Sequence, residues 1–180
     1  DLKGSAFDDI RLVDLATHVT GGLPLQVPDE GQDVPALIDW LADWQPPQPG
    51  TRSYSNVSIG LLGYITADAF GMPYAQAAED ILFPAMGLSS TFVNVPDTAM
   101  DRYAYGYDRK TDAPIRVNPG VLADEAYGVK STARDMVRLL DLELGHGDAD
   151  PALVAALTRT LEGRAETAYY TQDMIWEQYP

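Results

Sequence analysis

Apolar and polar positions alternate along this chain with a mostly helical period. Between Asp8 and His18, Ile10 and Val13, with Leu12, Leu15 and Ala16, fall near helical spacing, and Gly21-Gly22 stops the pattern. A short helix is predicted there, then a turn into Leu23-Pro24-Leu25-Gln26. Asp33-Val34-Pro35 opens the next helix, with Asp33 as cap and Pro35 in the first turn. Val34, Leu37, Ile38 and Leu41 form its apolar stripe, and Trp40 and Trp44 widen it as packing residues. Gln45-Pro46-Pro47-Gln48-Pro49-Gly50 cannot continue a helix and serves as a loop. From Asn56 to Phe70 the apolar residues cover most of a helical surface, so this helix is expected to be central and buried, closed by Gly71.

The second half is more broken. A helix from Pro73 to about Phe83 is expected to end at Pro84 and Gly87. Residues 89–95 read as extended, and Tyr103 to Tyr107 and Ile115 to Val117 as short strands flanking a turn. Asn118-Pro119-Gly120 signals a turn, and the stretch onward to Val129 has no clear period, as in a functional loop. Ser131 or Thr132 caps a strong helix, with Met136, Val137, Leu139, Leu140 and Leu144 expected inward and Gly145 closing it. Asp150-Pro151 opens another, to about Leu161. After Gly163 the pattern fades, and Met174-Ile175-Trp176 reads as the start of a strand.

Composition narrows the function classes. With 46% apolar residues the chain can bury a core despite its net charge of −15. That charge, without a basic patch, argues against nucleic-acid binding. Fifteen glycines and 13 prolines indicate short elements joined by many turns. The absence of cysteine removes disulfides, thiol catalysis and thiolate metal sites. His18 and His146 are far apart without ligand spacing, which argues against zinc. No apolar run is long enough to span a membrane, and the 180 residues contain no signal-peptide pattern. No repeat or composition shift marks a domain boundary. His18, just before the Gly-Gly stop, is read as a hydrogen-bonded structural residue rather than a catalyst.

The chemistry-bearing stretch is Arg52-Ser53-Tyr54-Ser55-Asn56-Val57-Ser58-Ile59-Gly60, where a loop becomes a helix. A group at a helix start meets unpaired backbone N–H donors and the positive end of the dipole. A phenol, with a reference pKa of about 10, acts as a base only where its surroundings favour the phenolate. From these residues alone two readings stand: Tyr54 packs while Ser55 or Asn56 caps the helix, or Tyr54 carries chemistry.

Four blocks in order add weight to the second: Asp14 to Gln26, Tyr54 to Gly60, Val117 to Leu122, and Glu125-Ala126-Tyr127-Gly128-Val129-Lys130. Together they resemble class C (AmpC-type) serine β-lactamases over essentially the whole chain. The resemblance implies a mainly α chain with short β hairpins. Residues 1–180 would be a partial domain, most of the helical domain of the α+β serine β-lactamase/DD-peptidase fold with its active-site loops, and the α/β domain would be largely missing. Tyr54 then looks like the catalytic tyrosine that helps deprotonate the serine nucleophile and protonates the leaving lactam nitrogen. Asn56 looks like the amide that binds the motif lysine and the antibiotic's side-chain carboxamide. Gln26 is similar to the rim glutamine facing that side chain, and Tyr127 to the aromatic wall of the pocket. In the sister class Ser-Asp-Asn stands between S-x-x-K and K-T-G, and Tyr54-Ser55-Asn56 would fill that slot. The implied protein is a monomeric, periplasmic cephalosporinase acting on β-lactam antibiotics, exported by a signal peptide not present in this chain, with no cofactor.

The pattern also departs from the family. No serine of the 180 residues has lysine at the third following position; Ser131, for example, leads to Arg134. No K-T-G occurs, and Lys110-Thr111-Asp112 and Lys130-Ser131-Thr132 are decoys. Asp173-Met174-Ile175-Trp176-Glu177 looks shortened beside the family's Gly-rich stretch. The expectation is an internal fragment, inactive alone and poorly packed where its helices would face the missing sheet. The rival readings are a DD-peptidase or esterase of the same superfamily, and a non-catalytic homologue that binds without turnover.

Overall fold

The computed structural model of the chain describes residues 2–116, 120–174 and 176–180. The Val117-Asn118-Pro119 portion of the third sequence block and of the expected strand and turn lies outside them, as does Ile175. Within them the chain is mainly α, with one two-stranded and one three-stranded antiparallel sheet.

Helix α1 is shorter than its apolar spacing suggests, Leu12–Ala16, and follows a separate 3-10 turn at Ala6–Asp9. Asp14 is the reason for the break. Its carboxylate accepts from the Arg11 backbone N–H at 2.9 Å and from the guanidinium at 2.7 Å, which holds Arg11 extended as a cap. Helix α2, Val34–Asp43, is capped by Asp33, whose Oδ1 accepts from Ala36 N at 2.8 Å. Trp44 ends α2 and packs edge-on against Phe7, with 6.4 Å between ring centroids.

Helix α3, Asn56–Phe70, starts at Ser55 and closes at Gly71, whose φ of +68° is the left-handed conformation expected there. Its N-terminal half is buried. Its C-terminal half leaves Tyr64, Ile65 and Phe70 exposed, so the expected near-complete burial holds for the first half only. Leu15, Leu23, Leu37, Leu41, Val57 and Leu61 form the main core around that half.

Pro84 does not break the next segment. Helix α4, Tyr74–Ala77, runs through a π turn at Ala78–Leu82 into α5, Phe83–Met86. A π turn widens the backbone where proline lacks its N–H and crowds the preceding turn, so the helical path survives. Residues 89–95, read as extended, are not a strand: residues 89 and 90 form a turn, residues 93 and 94 a bend, and Phe92 alone pairs, in an isolated antiparallel bridge to Lys130. Strands β1, Gly106–Tyr107, and β2, Pro114–Ile115, form the expected hairpin, with Gly106 opposite Ile115. Its turn is held by Asp108, whose carboxylate accepts from Lys110 N and Thr111 N.

The stretch read as a loop contains a short helix, α6, Ala123–Tyr127, entered through Leu122 at φ +60°. It lies across α3 where the helix carries Gly60 and Gly63. An added Cβ would come within 2.6 Å of Leu122 Cβ at Gly60 and 2.7 Å of Glu125 Cβ at Gly63. The two glycines therefore permit the approach that places Tyr127.

Helix α7, Ala133–Glu143, is capped by Thr132 but is rotated from the expected orientation. Met136, Val137, Leu140 and Leu144 are exposed, while Asp135, Leu142 and Glu143 are buried. Asp135 sets the rotation. Its carboxylate accepts from Ser90 N and from the Thr91 hydroxyl, each at 2.7 Å, and these bonds require that face inward. Leu142 joins Phe83, Met86, Leu88 and Val93 in a second core cluster. Helix α8, Pro151–Thr160, is capped by Asp150. The terminal region forms β3 (Ala165–Glu166), β4 (Thr171–Gln172) and β5 (Glu177–Gln178), in the order β3-β4-β5. Strands β4 and β5 pair antiparallel, with Gln172 opposite Glu177. No helix among the described residues is long and apolar enough to cross a membrane.

Candidate active site

Ser55 builds the turn that presents Tyr54. Its hydroxyl accepts from Ser58 N at 3.0 Å, capping α3, and donates to Pro24 O at 2.7 Å. Asn56 N donates to Leu25 O at 2.9 Å. These two bonds fasten the start of α3 to the segment that ends in Gln26. Deeper in the helix, the Ser58 hydroxyl donates to Leu15 O at 2.7 Å and ties α3 to α1. Tyr54 itself stands one residue ahead of the cap and is 55% exposed, free to meet a reacting group.

Gln26 and Tyr127 arrive from distant parts of the chain at one shallow pocket of about 410 Å³, lined also by Val27, Asp29, Gln32 and Val121. Asn56, half-buried as the first residue of α3, does not line this pocket; its backbone N–H is bonded to Leu25, the residue before Gln26. The predicted residues thus fall into two linked groups. Gln26 and Tyr127 share a pocket, while Tyr54 and Asn56 share the helix start bonded to the Gln26 segment. Tyr54 is not part of that pocket's lining.

The two decoy triplets do other work. Lys110 and Thr111 sit in the β1–β2 turn, and Lys130 Nζ donates to Val93 O at 2.9 Å. Ser131 shares a hydrogen bond with Thr91.

Two residues around Tyr54 carry more than the sequence indicates. The His18 ring lies 4.6 Å from the Tyr54 ring, centroid to centroid, and its Nδ1 accepts from Ser55 N at 3.2 Å. Burial, and then the nearby Arg52 charge, pull His18 down to about 4 from its ordinary 6.5, with Glu177 acting against them. The imidazole is therefore neutral at pH 7. Arg52 is turned toward the terminal sheet. Its Nε donates to Gln172 Oε1 at 2.7 Å, its terminal nitrogen meets Glu177 at 2.9 Å, and its guanidinium lies over Tyr170. The cation nearest Tyr54 in sequence is thus committed to β4 and β5. Nothing in the local spelling signals either arrangement, because the partners lie 37 residues from His18 in one case and 120 from Arg52 in the other.

What a tyrosine at a helix start can do chemically is move a proton for a neighbouring nucleophile, provided charge nearby steadies its phenolate. An asparagine beside it offers a donor and an acceptor at once, suited to a secondary amide. A glutamine and an aromatic wall across a shallow pocket suit an amide-bearing side chain.

Comparison with known proteins bears on this arrangement. The sequence model of the family described as Beta-lactamase matches residues 1–178. A crystal structure of a β-lactamase from Sulfitobacter sp. EE-36 is 80% identical with a TM-score of 0.96, covering 99% of this chain and 49% of that one. A class C β-lactamase from Rhodobacter sphaeroides is 65% identical with a TM-score of 0.96, over 99% of this chain and 51% of that one. A β-lactamase/D-alanine carboxypeptidase from Pseudomonas syringae is 48% identical with a TM-score of 0.92, again over 99% and 51%. The chain spans about half the length of the curated relatives it matches: the Pseudomonas fluorescens β-lactamase is 40% identical over 99% of this chain and 50% of its own length.

Proposed function

This chain belongs to the β-lactamase family, and from that membership we propose that it is the helical part of a class C serine β-lactamase that hydrolyses cephalosporins. The observation that carries the proposal is the tie between two groups. The Tyr54-Ser55-Asn56 turn opens a helix buried in its first half, and the Ser55 hydroxyl and the Asn56 N–H fasten it to the segment bearing Gln26, which shares one pocket with Tyr127.

In this reading Tyr54 takes the proton of a serine hydroxyl as that oxygen attacks the lactam carbonyl. The C–N bond then breaks, and the same proton passes to the lactam nitrogen. Asn56 holds the substrate's side-chain amide, with Gln26 and Tyr127 on either side of it. The serine, its lysine and the oxyanion donors come from the rest of the parent protein, since no Ser-x-x-Lys occurs in these 180 residues. Residues 1–180 are accordingly a partial domain without turnover of their own. The parent is a periplasmic monomer exported by a signal peptide.

A second reading has a specific observation behind it. The Pseudomonas syringae structure is described as a β-lactamase/D-alanine carboxypeptidase, so a D-Ala-D-Ala peptidase is the nearest rival. The test is to compare kcat/KM of the parent protein on a cephalosporin and on a D-Ala-D-Ala peptide. The proposal expects the cephalosporin to be preferred by at least about 100-fold; equal or reversed preference overturns it.

A further inference from the structure

His18 holds three consecutive residues of the turn that presents Tyr54. Its backbone carbonyl accepts from Ser53 N at 2.9 Å, its ring lies against the Tyr54 ring, and its Nδ1 accepts from Ser55 N. It does so from a left-handed backbone, φ +60°, which a non-glycine residue adopts only where its surroundings impose it. It is also 6% exposed. We propose that His18 is the positioning residue of Tyr54: its backbone carbonyl holds Ser53, while its imidazole holds Ser55 and forms the wall that sets the direction of the exposed phenol. This inference rests on the reading of Tyr54 as the proton-transfer residue.

The hydrogen bonding defines the form of the ring. An Nδ1 that accepts from Ser55 N must be unprotonated, so the neutral imidazole carries its proton on Nε2. A protonated His18 has no acceptor for Ser55 N. The same geometry separates positioning from catalysis. Nδ1 is occupied by the backbone and the ring is buried, so His18 has no direct path to a substrate, and it acts through Tyr54. The turn is braced on the other side by Arg52, two residues before Tyr54, through its bonds to Gln172 and Glu177. The phenol is 55% exposed, and displacement of a reacting group by about 1 Å can cost a hundredfold in rate.

Two variants of the parent protein test this. His18→Gly removes the imidazole and suits the left-handed backbone, so it isolates the loss of the ring from backbone strain. His18→Asn keeps an acceptor near the place of Nδ1 and also tolerates that backbone, but it lacks the wall. On nitrocefin, His18→Gly should lower kcat about 10- to 100-fold with KM within about threefold, and His18→Asn should lie between it and the parent. Amide exchange at Ser55 should quicken in His18→Gly and stay near the parent rate in His18→Asn. A folded His18→Gly with kcat within twofold of the parent overturns the proposal. If the parent hydrolyses no β-lactam, the functional reading fails on its own. Exchange at Ser55 and motional freedom of the Tyr54 ring by NMR then decide the positioning claim: both raised in His18→Gly supports it, and both unchanged overturns it.

Discussion

Ser55→Ala is the perturbation whose cost follows most directly from the geometry. The Ser55 hydroxyl is fully buried and makes two bonds, accepting from Ser58 N at 3.0 Å and donating to Pro24 O at 2.7 Å. Removing an N-cap hydroxyl costs about 1 kcal/mol. Leaving a partly buried carbonyl without its donor adds about 1 kcal/mol, the lower end of the usual penalty. The expected loss is therefore roughly 2 kcal/mol. Asp33→Ala is the internal control, because Asp33 caps α2 through an exposed bond to Ala36 N and makes no second link of this kind. Its loss should be about 1 kcal/mol. Urea unfolding of the parent protein and both variants, compared at equal m-values, measures the difference. A Ser55→Ala loss no greater than that of Asp33→Ala would refute the claim that this serine joins α3 to the Gln26 segment.

Two further outcomes follow from the same structure. His18 has a folded pKa of about 4 against about 6.5 unfolded, so the folded state binds its proton less readily. Its contribution is complete above pH 6.5 and is lost as pH falls toward 4. Urea midpoints of the parent should therefore fall between pH 7 and 4.5 more steeply than those of His18→Asn, and parallel slopes would exclude the effect. Gly60→Ala brings a Cβ within 2.6 Å of Leu122 Cβ. The helix-propensity gain of about 1 kcal/mol is outweighed by overpacking, for a net loss of about 1–2 kcal/mol. Because Leu122 leads into α6 and Tyr127, KM for a cephalosporin should rise as well, which melting curves and steady-state kinetics together check.

How much of this was legible in the sequence depended on how local each cause was. Asp33 and Asp150 cap their helices within three residues, and Gly71 closes α3 one residue beyond its end, so spelling alone places them; for the α3 cap it leaves Ser55 and Asn56 open, and the structure uses Ser55. The 106–115 hairpin is equally local. The rotation of α7 was not legible, because it is decided by bonds from Asp135 to Ser90 and Thr91, more than 40 residues away. Pro84 misled for a related reason: a π turn, which no residue pattern announces, absorbs it. At the site, the roles proposed for Tyr54, Asn56, Gln26 and Tyr127 come from resemblance, not from periodicity. His18 is hydrogen-bonded as expected, but its contact with the tilted Tyr54 ring depends on a left-handed backbone that only the folded turn imposes.

Tyr54 is proposed as the proton-transfer residue of a serine hydrolase site. Its most direct test is Tyr54→Phe in the parent protein, which keeps the ring against His18 and removes only the hydroxyl. Nitrocefin turnover should fall by about 10²- to 10⁴-fold, the usual share of general acid–base catalysis, with the fold unchanged by circular dichroism. A kcat within about threefold of the parent would contradict the central claim.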